Sequence, residues 1–116
     1  MQIYKQGAKV DGLQPAGFLK AANATFIGPE PADVIRLDGG NLSGPWAIGV
    51  WGVETGEFEL AYDVAEFVTI LEGRAIVSQG SKSAELKAGD TFFTAKGEKV
   101  HWKVLEAVKK CFIIVT

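Results

Sequence analysis

The chain is 116 residues long, 47% apolar and 22% charged, the profile of one globular domain with a real core and not of a disordered or fibrous segment. A formal net charge of -2 gives no electrostatic case for nucleic acid or an anionic membrane surface, and the single cysteine excludes an intrachain disulfide framework. No window approaches the roughly 20 apolar residues of a membrane span, and the first residues carry no signal-peptide core, so the expectation is a cytoplasmic protein.

Residues 1–44 hold three of the four prolines, Pro15, Pro29 and Pro31. Ala16 to Ala24 permits a short helical turn, which Gly28-Pro-Glu-Pro31 stops. Asp38-Gly-Gly-Asn41 is a turn signal ahead of Pro45. This segment is expected to supply loops and one or two edge strands that pack on a barrel or on a partner chain. From Trp46 onward, short β-prone runs alternate with turns: Trp46 to Val53, Phe58 to Tyr62, Phe67 to Leu71, Ala75 to Val77, Ala84 to Leu86, Phe92-Phe93, Val100 to Leu105 and Cys111 to Val115. Strands at intervals of eight to twelve residues with turn chemistry between them predict an all-β sandwich or barrel over residues 45–116. No run sustains a 3.6-residue period, which rules out an α/β reading.

Glu66-Phe-Val-Thr-Ile-Leu-Glu-Gly73, followed by Ala88-Gly-Asp-Thr-Phe-Phe93 and Gly97, resembles the two motifs of the cupin superfamily. Val50-Trp-Gly-Val-Glu54, Gly56-Glu-Phe58, Trp102, Glu106 and Lys110 extend the likeness. They make the chain similar to the small single-domain group (DUF861) that includes the ethanolamine-utilisation cupin and the ureidoglycine aminohydrolase cupin domain. The resemblance implies a single-domain jelly-roll β-barrel. Thr55 and Ala95 stand where that group usually has proline.

The resemblance also marks candidate residues. Glu66 matches the motif glutamate, seven residues before Gly73. Alternation puts it on one strand face with Val68 and Ile70, where it is either an acid-base group in an apolar cavity or a structural carboxylate paired with a buried lysine or tyrosine. The motif histidines are missing: their places fall on Glu59 and Ala61, or on Leu60 and Tyr62, and the last falls on Val100. His101 is one residue late, and a one-residue shift reverses the face. It is a weak metal candidate that only a bulge would bring inward, so the expectation is no metal and no cofactor. Tyr62 stands where a ligand histidine would be. Trp51, Tyr62, Glu66, Val100 and Trp102 form the expected ligand site, with core packing as the competing role for both tryptophans. Glu66 and Tyr62 are the catalytic candidates, and Lys110, which interrupts an apolar run, reads either as a paired cation with Glu66 or Glu106 as partner or as a snorkelling side chain at an edge.

The functional expectation is a metal-independent cupin that binds a small molecule, in an accessory or sensor role in small-metabolite catabolism. The alternatives are an enzyme that uses Glu66 and Tyr62 on a small nitrogen-containing or carboxylate metabolite, and a structural scaffold. A homodimer is expected, because Phe67, Thr69 and Leu71 lie opposite Glu66 and need cover outside the barrel.

Overall fold

A computed structural model describes all of residues 1–116. The chain order is β1 (Gln14–Pro15), α1 (Phe18–Ala21), β2 (Thr25–Ile27), β3 (Asp33–Gly40), β4 (Trp46–Val53), β5 (Gly56–Ala61), β6 (Ala65–Gln79), β7 (Lys82–Lys87), β8 (Thr91–Thr94) and β9 (Lys99–Val115). Every strand pairing is antiparallel. No helix is long and apolar enough to cross a membrane.

Two long strands organise the barrel. β6 and β9 pair with each other along most of their length. Each end of the pair then recruits different neighbours. The second half of β6 takes β7, and the first half of β9 takes β5, which in turn takes β2. The first half of β6 takes β8, and the second half of β9 takes β4, β3 and β1. One continuous hydrogen-bonded ladder thus folds into two facing layers, the jelly roll, with β6 and β9 shared by both.

The fold lies where the paired strands bend. Register shifts run from Ile70 to Ala75 on β6, centred on Gly73 at φ +88. A Cβ there would lie 2.1 Å from the Ala107 carbonyl oxygen, so the close crossing of the two strands admits only glycine. This corrects the reading of Phe67–Leu71 and Ala75–Val77 as separate strands, and of Val100–Leu105 and Cys111–Val115 likewise. Glu72-Gly73 ends nothing; it is a bulge inside one strand, and a bulge and a turn call for the same residues.

Alternation fills the interior. Val68 and Ile70 on β6 face Phe112 and Lys110 on β9, while Ala75 and Val77 face Val104 and Trp102. Phe58 and Leu60 on β5 complete the first layer, and Trp51 and Val53 on β4 the second. The core therefore sits between the layers, with Trp102 at its centre, stacked on Phe58 at 6.2 Å and met edge-on by Phe92 at 5.7 Å.

The two sides of this sandwich differ. On one side β1, α1 and β2 pass from layer to layer and close the gap; Leu19 and Phe18 of α1 plug it. Asp33 fixes the plug, its Oδ2 accepting from the backbone N–H groups of Phe18 (2.9 Å) and Leu19 (3.3 Å) and from Trp51 Nε1 (3.0 Å). On the other side nothing crosses between β7 and β8 except their connecting turn, and a groove opens there.

Candidate functional site

Glu66 and Lys110 meet in the core. Alternation along β6 and β9 turns both side chains inward. Lys110 Nζ donates to Glu66 Oε1 at 3.1 Å, with Lys110 4% and Glu66 7% exposed. The ammonium also lies 4.8 Å from the Trp51 ring centroid and 5.2 Å from that of Trp102. A carboxylate and two indole faces thus replace the water a buried cation gives up. The residual cavity beside the pair, roofed by Phe18, measures about 10 Å³, about the space of one water molecule.

Tyr62 is buried too, and Trp102 Nε1 donates to its hydroxyl at 3.1 Å. Burial, reinforced by the nearby Glu66 carboxylate, pushes the Tyr62 pKa far above its ordinary value, so the phenol keeps its proton. Val100, at the place of the last motif histidine, is buried with Leu60 opposite it on β5.

His101 points the other way. It lies across from Glu59 on β5, outside the barrel, with Nε2 2.7 Å from Glu57 Oε2. The inward turn by a bulge after Gly97 does not occur, since the β5–β9 register runs without a shift from Lys99 to Val104. Cupin folds imply a metal, and the donors here do not fit one. Leu60 and Val100 offer no lone pair, Tyr62 is a protonated phenol, and the Glu66 carboxylate already holds an ammonium. No three His, Cys, Asp or Glu side chains cluster anywhere.

The sequence reading places Trp51 and Trp102 at a ligand site; the structure engages both with Lys110 and packs Trp102 at 1% exposure. Open space lies elsewhere, in a shallow recess of about 340 Å³ beside Ile27, Pro29 and Lys103 and in the groove between β7 and β8, about 310 Å³. Its apolar wall includes Val77, Leu86, Phe92 and Val100, and Ser78, Lys82 and Glu98 bring polar groups to it. Thr94 lines it as well, at 2% exposure; its buried hydroxyl neighbours that of Tyr62 but makes no hydrogen bond of full geometry.

Sequence reasoning reached Val100 and missed Thr94 and Asp33. A threonine ending a β-prone run carries no mark of chemistry, although Thr94 lies directly across β8–β6 from Glu66. Once Glu66 is placed inward, that cross-strand register would have placed Thr94 inward as well.

The model of the EutQ-like cupin domain matches residues 41–112. A Xenopus laevis protein, SH3 domain-containing YSC84-like protein 1, is 36% identical over 92 residues. They cover 79% of this chain and 26% of that protein, so the chain spans about a quarter of the length of this relative. A Pseudomonas syringae pv. tomato protein of unknown function, from the DUF861 family, superposes with a TM-score of 0.78 at 22% identity, over 91% of this chain and 45% of the other. The Clostridium difficile EutQ protein superposes with a TM-score of 0.64 at 13% identity, over 76% of this chain and 71% of the other. At such identities the structural likeness speaks for the fold alone. The family model, however, spans well over half of the residues and includes Tyr62, Glu66, Val100 and Lys110: the chain belongs to the EutQ-like cupin domain family.

Proposed function

We propose that this protein is a metal-independent cupin that binds a small molecule in the groove between β7 and β8. The observation that carries the reading is the groove itself, with Thr94 at its inner wall, whose buried hydroxyl has only the neighbouring Tyr62 hydroxyl to interact with and no hydrogen bond of full geometry. A ligand with a polar end at Thr94 would give that weakly engaged hydroxyl a well-formed hydrogen bond. The groove's about 310 Å³ suits a small metabolite, whose apolar part would lie along Val77, Leu86, Phe92 and Val100. Its mouth carries one cation, Lys82, and one carboxylate, Glu98.

The acid-base alternative receives less support. Glu66 is engaged by Lys110, and Tyr62 is held protonated behind Trp102, so neither stands ready to take a proton from a substrate in the groove. An accessory or sensor role in small-metabolite catabolism fits the family description and the similarity to ethanolamine utilization proteins. The working unit in this reading is a homodimer.

Thermal-shift screening against a library of small metabolites tests the binding. At least one compound is expected to raise the melting temperature of the wild-type protein. Thr94→Val, which keeps the shape and removes the hydroxyl, is expected to melt no lower than wild type and to lose most of that shift. A compound that stabilises both proteins equally would remove Thr94 from the site; no stabilising compound in a broad library would count against the reading.

A further inference from the structure

At its inner end the β7–β8 groove meets a short series of polar groups that leads out of the core. Trp102 Nε1 donates to the Tyr62 hydroxyl at 3.1 Å, and an indole N–H can only donate. Tyr62 is buried and protonated, and the Thr94 hydroxyl lies beside its own. Buried donors are almost always satisfied. With Trp102 on the Tyr62 oxygen, the phenol proton is directed at its other hydroxyl neighbour, Thr94. The Thr94 proton is then left without an acceptor, and the groove that Thr94 lines is where one can enter. One obligate donor in the core thus sets the polarity of all three groups, and the groove meets the last of them as a donor.

The mouth is arranged alike. Alternation on β7 puts Lys82 on the same face as Ala84 and Leu86, turned toward the groove, with Gln79 opposite it on β6. Lys82 enters no ion pair. Glu98 is already engaged: its Oε2 accepts from the Ala95 N–H at 2.6 Å, and the Gln79 amide lies 3.4 Å from its Oε1. Each end of the groove therefore offers a donor that lacks an acceptor, with the apolar wall of Val77, Leu86, Phe92 and Val100 between them.

We propose that the ligand of this groove is a small oxo acid, its carboxylate on Lys82 and its carbonyl oxygen on the Thr94 hydroxyl, with Tyr62 as the positioning residue that turns that hydroxyl toward the ligand. The inference rests on the groove reading and deepens it by naming the ligand class. A carbonyl oxygen only accepts, so it matches a donor. An ammonium at the inner end would bury its charge against a hydroxyl oxygen that already accepts from Tyr62. Lys82 is exposed at the mouth, where water and salt screen it, so most of the discrimination falls to the inner end. At about 310 Å³ the groove is at the small end of ligand pockets, which suits a single short acid and not a nucleotide.

Isothermal titration with matched acids, in three chain lengths beginning with levulinate, valerate and δ-aminovalerate, tests the class. Wild type is expected to bind the best oxo acid roughly tenfold more tightly than its parent acid, the worth of about one well-formed hydrogen bond, and to leave the amino acids unbound. Thr94→Val should bring that ratio to about one. Tyr62→Phe, which touches no ligand, should cut the ratio to about threefold or less with the parent acid bound as before, a change in selectivity that a merely structural tyrosine would not produce. Lys82→Met should weaken both acids by roughly two- to fivefold and leave the ratio alone. If Tyr62→Phe fails to fold by circular dichroism, Thr94→Ser decides beside Thr94→Val: the ratio must survive in the first and vanish in the second, or the inference falls. A library compound with an ammonium or hydroxyl end whose shift is lost in Thr94→Val, while the oxo acids do not bind, upholds the groove and overturns the oxo acid. An oxo acid that binds wild type and Thr94→Val alike overturns both, as does the absence of any ligand.

Discussion

Lys110→Met is expected to destabilise the protein by about 3–5 kcal/mol, because it leaves the Glu66 carboxylate buried without its cation. For a domain of this size that corresponds to a fall in melting temperature of roughly 10–25 °C. The ion pair has 5% and 9% side-chain exposure at 3.1 Å, so water cannot substitute for the missing ammonium. The double variant Glu66→Leu/Lys110→Met removes both charges and is expected to recover most of the loss, since a well-packed apolar replacement of a buried pair is often neutral or better. Urea unfolding of wild type, both single variants and the double variant completes the cycle. A loss under about 1 kcal/mol for Lys110→Met would show that the pair is not what neutralises the core. The cycle also separates structure from chemistry: a structural Glu66 predicts that the double variant still binds whatever the groove binds.

Asp33→Ala is expected to cost about 2–4 kcal/mol, because a single carboxylate oxygen serves three donors, two of them backbone N–H groups at the start of α1. The loss should be local as well as global. Phe18 packs edge-on against Trp51 at 6.2 Å, and Trp51 lies over Lys110, so releasing α1 uncovers the side of the barrel where the ion pair sits. Asp33→Asn keeps an acceptor oxygen at the same place and should lose less than half as much. Thermal unfolding gives the magnitude. Faster amide exchange at Phe18 and Leu19 in Asp33→Ala gives the location, and unchanged exchange there would refute the tethering role.

Much of the barrel was readable because its evidence is local. Glu66, Val68 and Ile70 share a face by alternation alone, and Lys110 announces a partner by interrupting an apolar run. His101 likewise follows from counting: one residue past Val100 must face the other way. The length of β6 and β9 was not readable, because a bulge glycine and a turn glycine look alike in sequence; only the approach of Ala107 to Gly73 distinguishes them. Asp33 and Thr94 were not readable for another reason. Their roles come from residues 14 to 28 positions away that the fold brings together, and neither lies in a run with chemistry of its own. Trp51 and Trp102 illustrate the limit from the opposite direction. Their placement in motif-bearing runs suggests a pocket wall, whereas the cation they enclose belongs to the chain itself.

The binding claim has a direct measurement. The chain contains three tryptophans, whose indole N–H groups occupy distinct settings: Trp102 on the Tyr62 hydroxyl behind Phe92, Trp51 on Asp33, and Trp46 on the outer face. Titrating ¹⁵N-labelled protein with a stabilising compound from the screen should shift the Trp102 indole resonance together with the amides of Thr94, Val77 and Leu86. The Trp51 and Trp46 indoles should stay in place. Shifts confined to Trp51 and residues around Lys110, or to Trp46 and its neighbours on the outer face, would contradict binding in the β7–β8 groove.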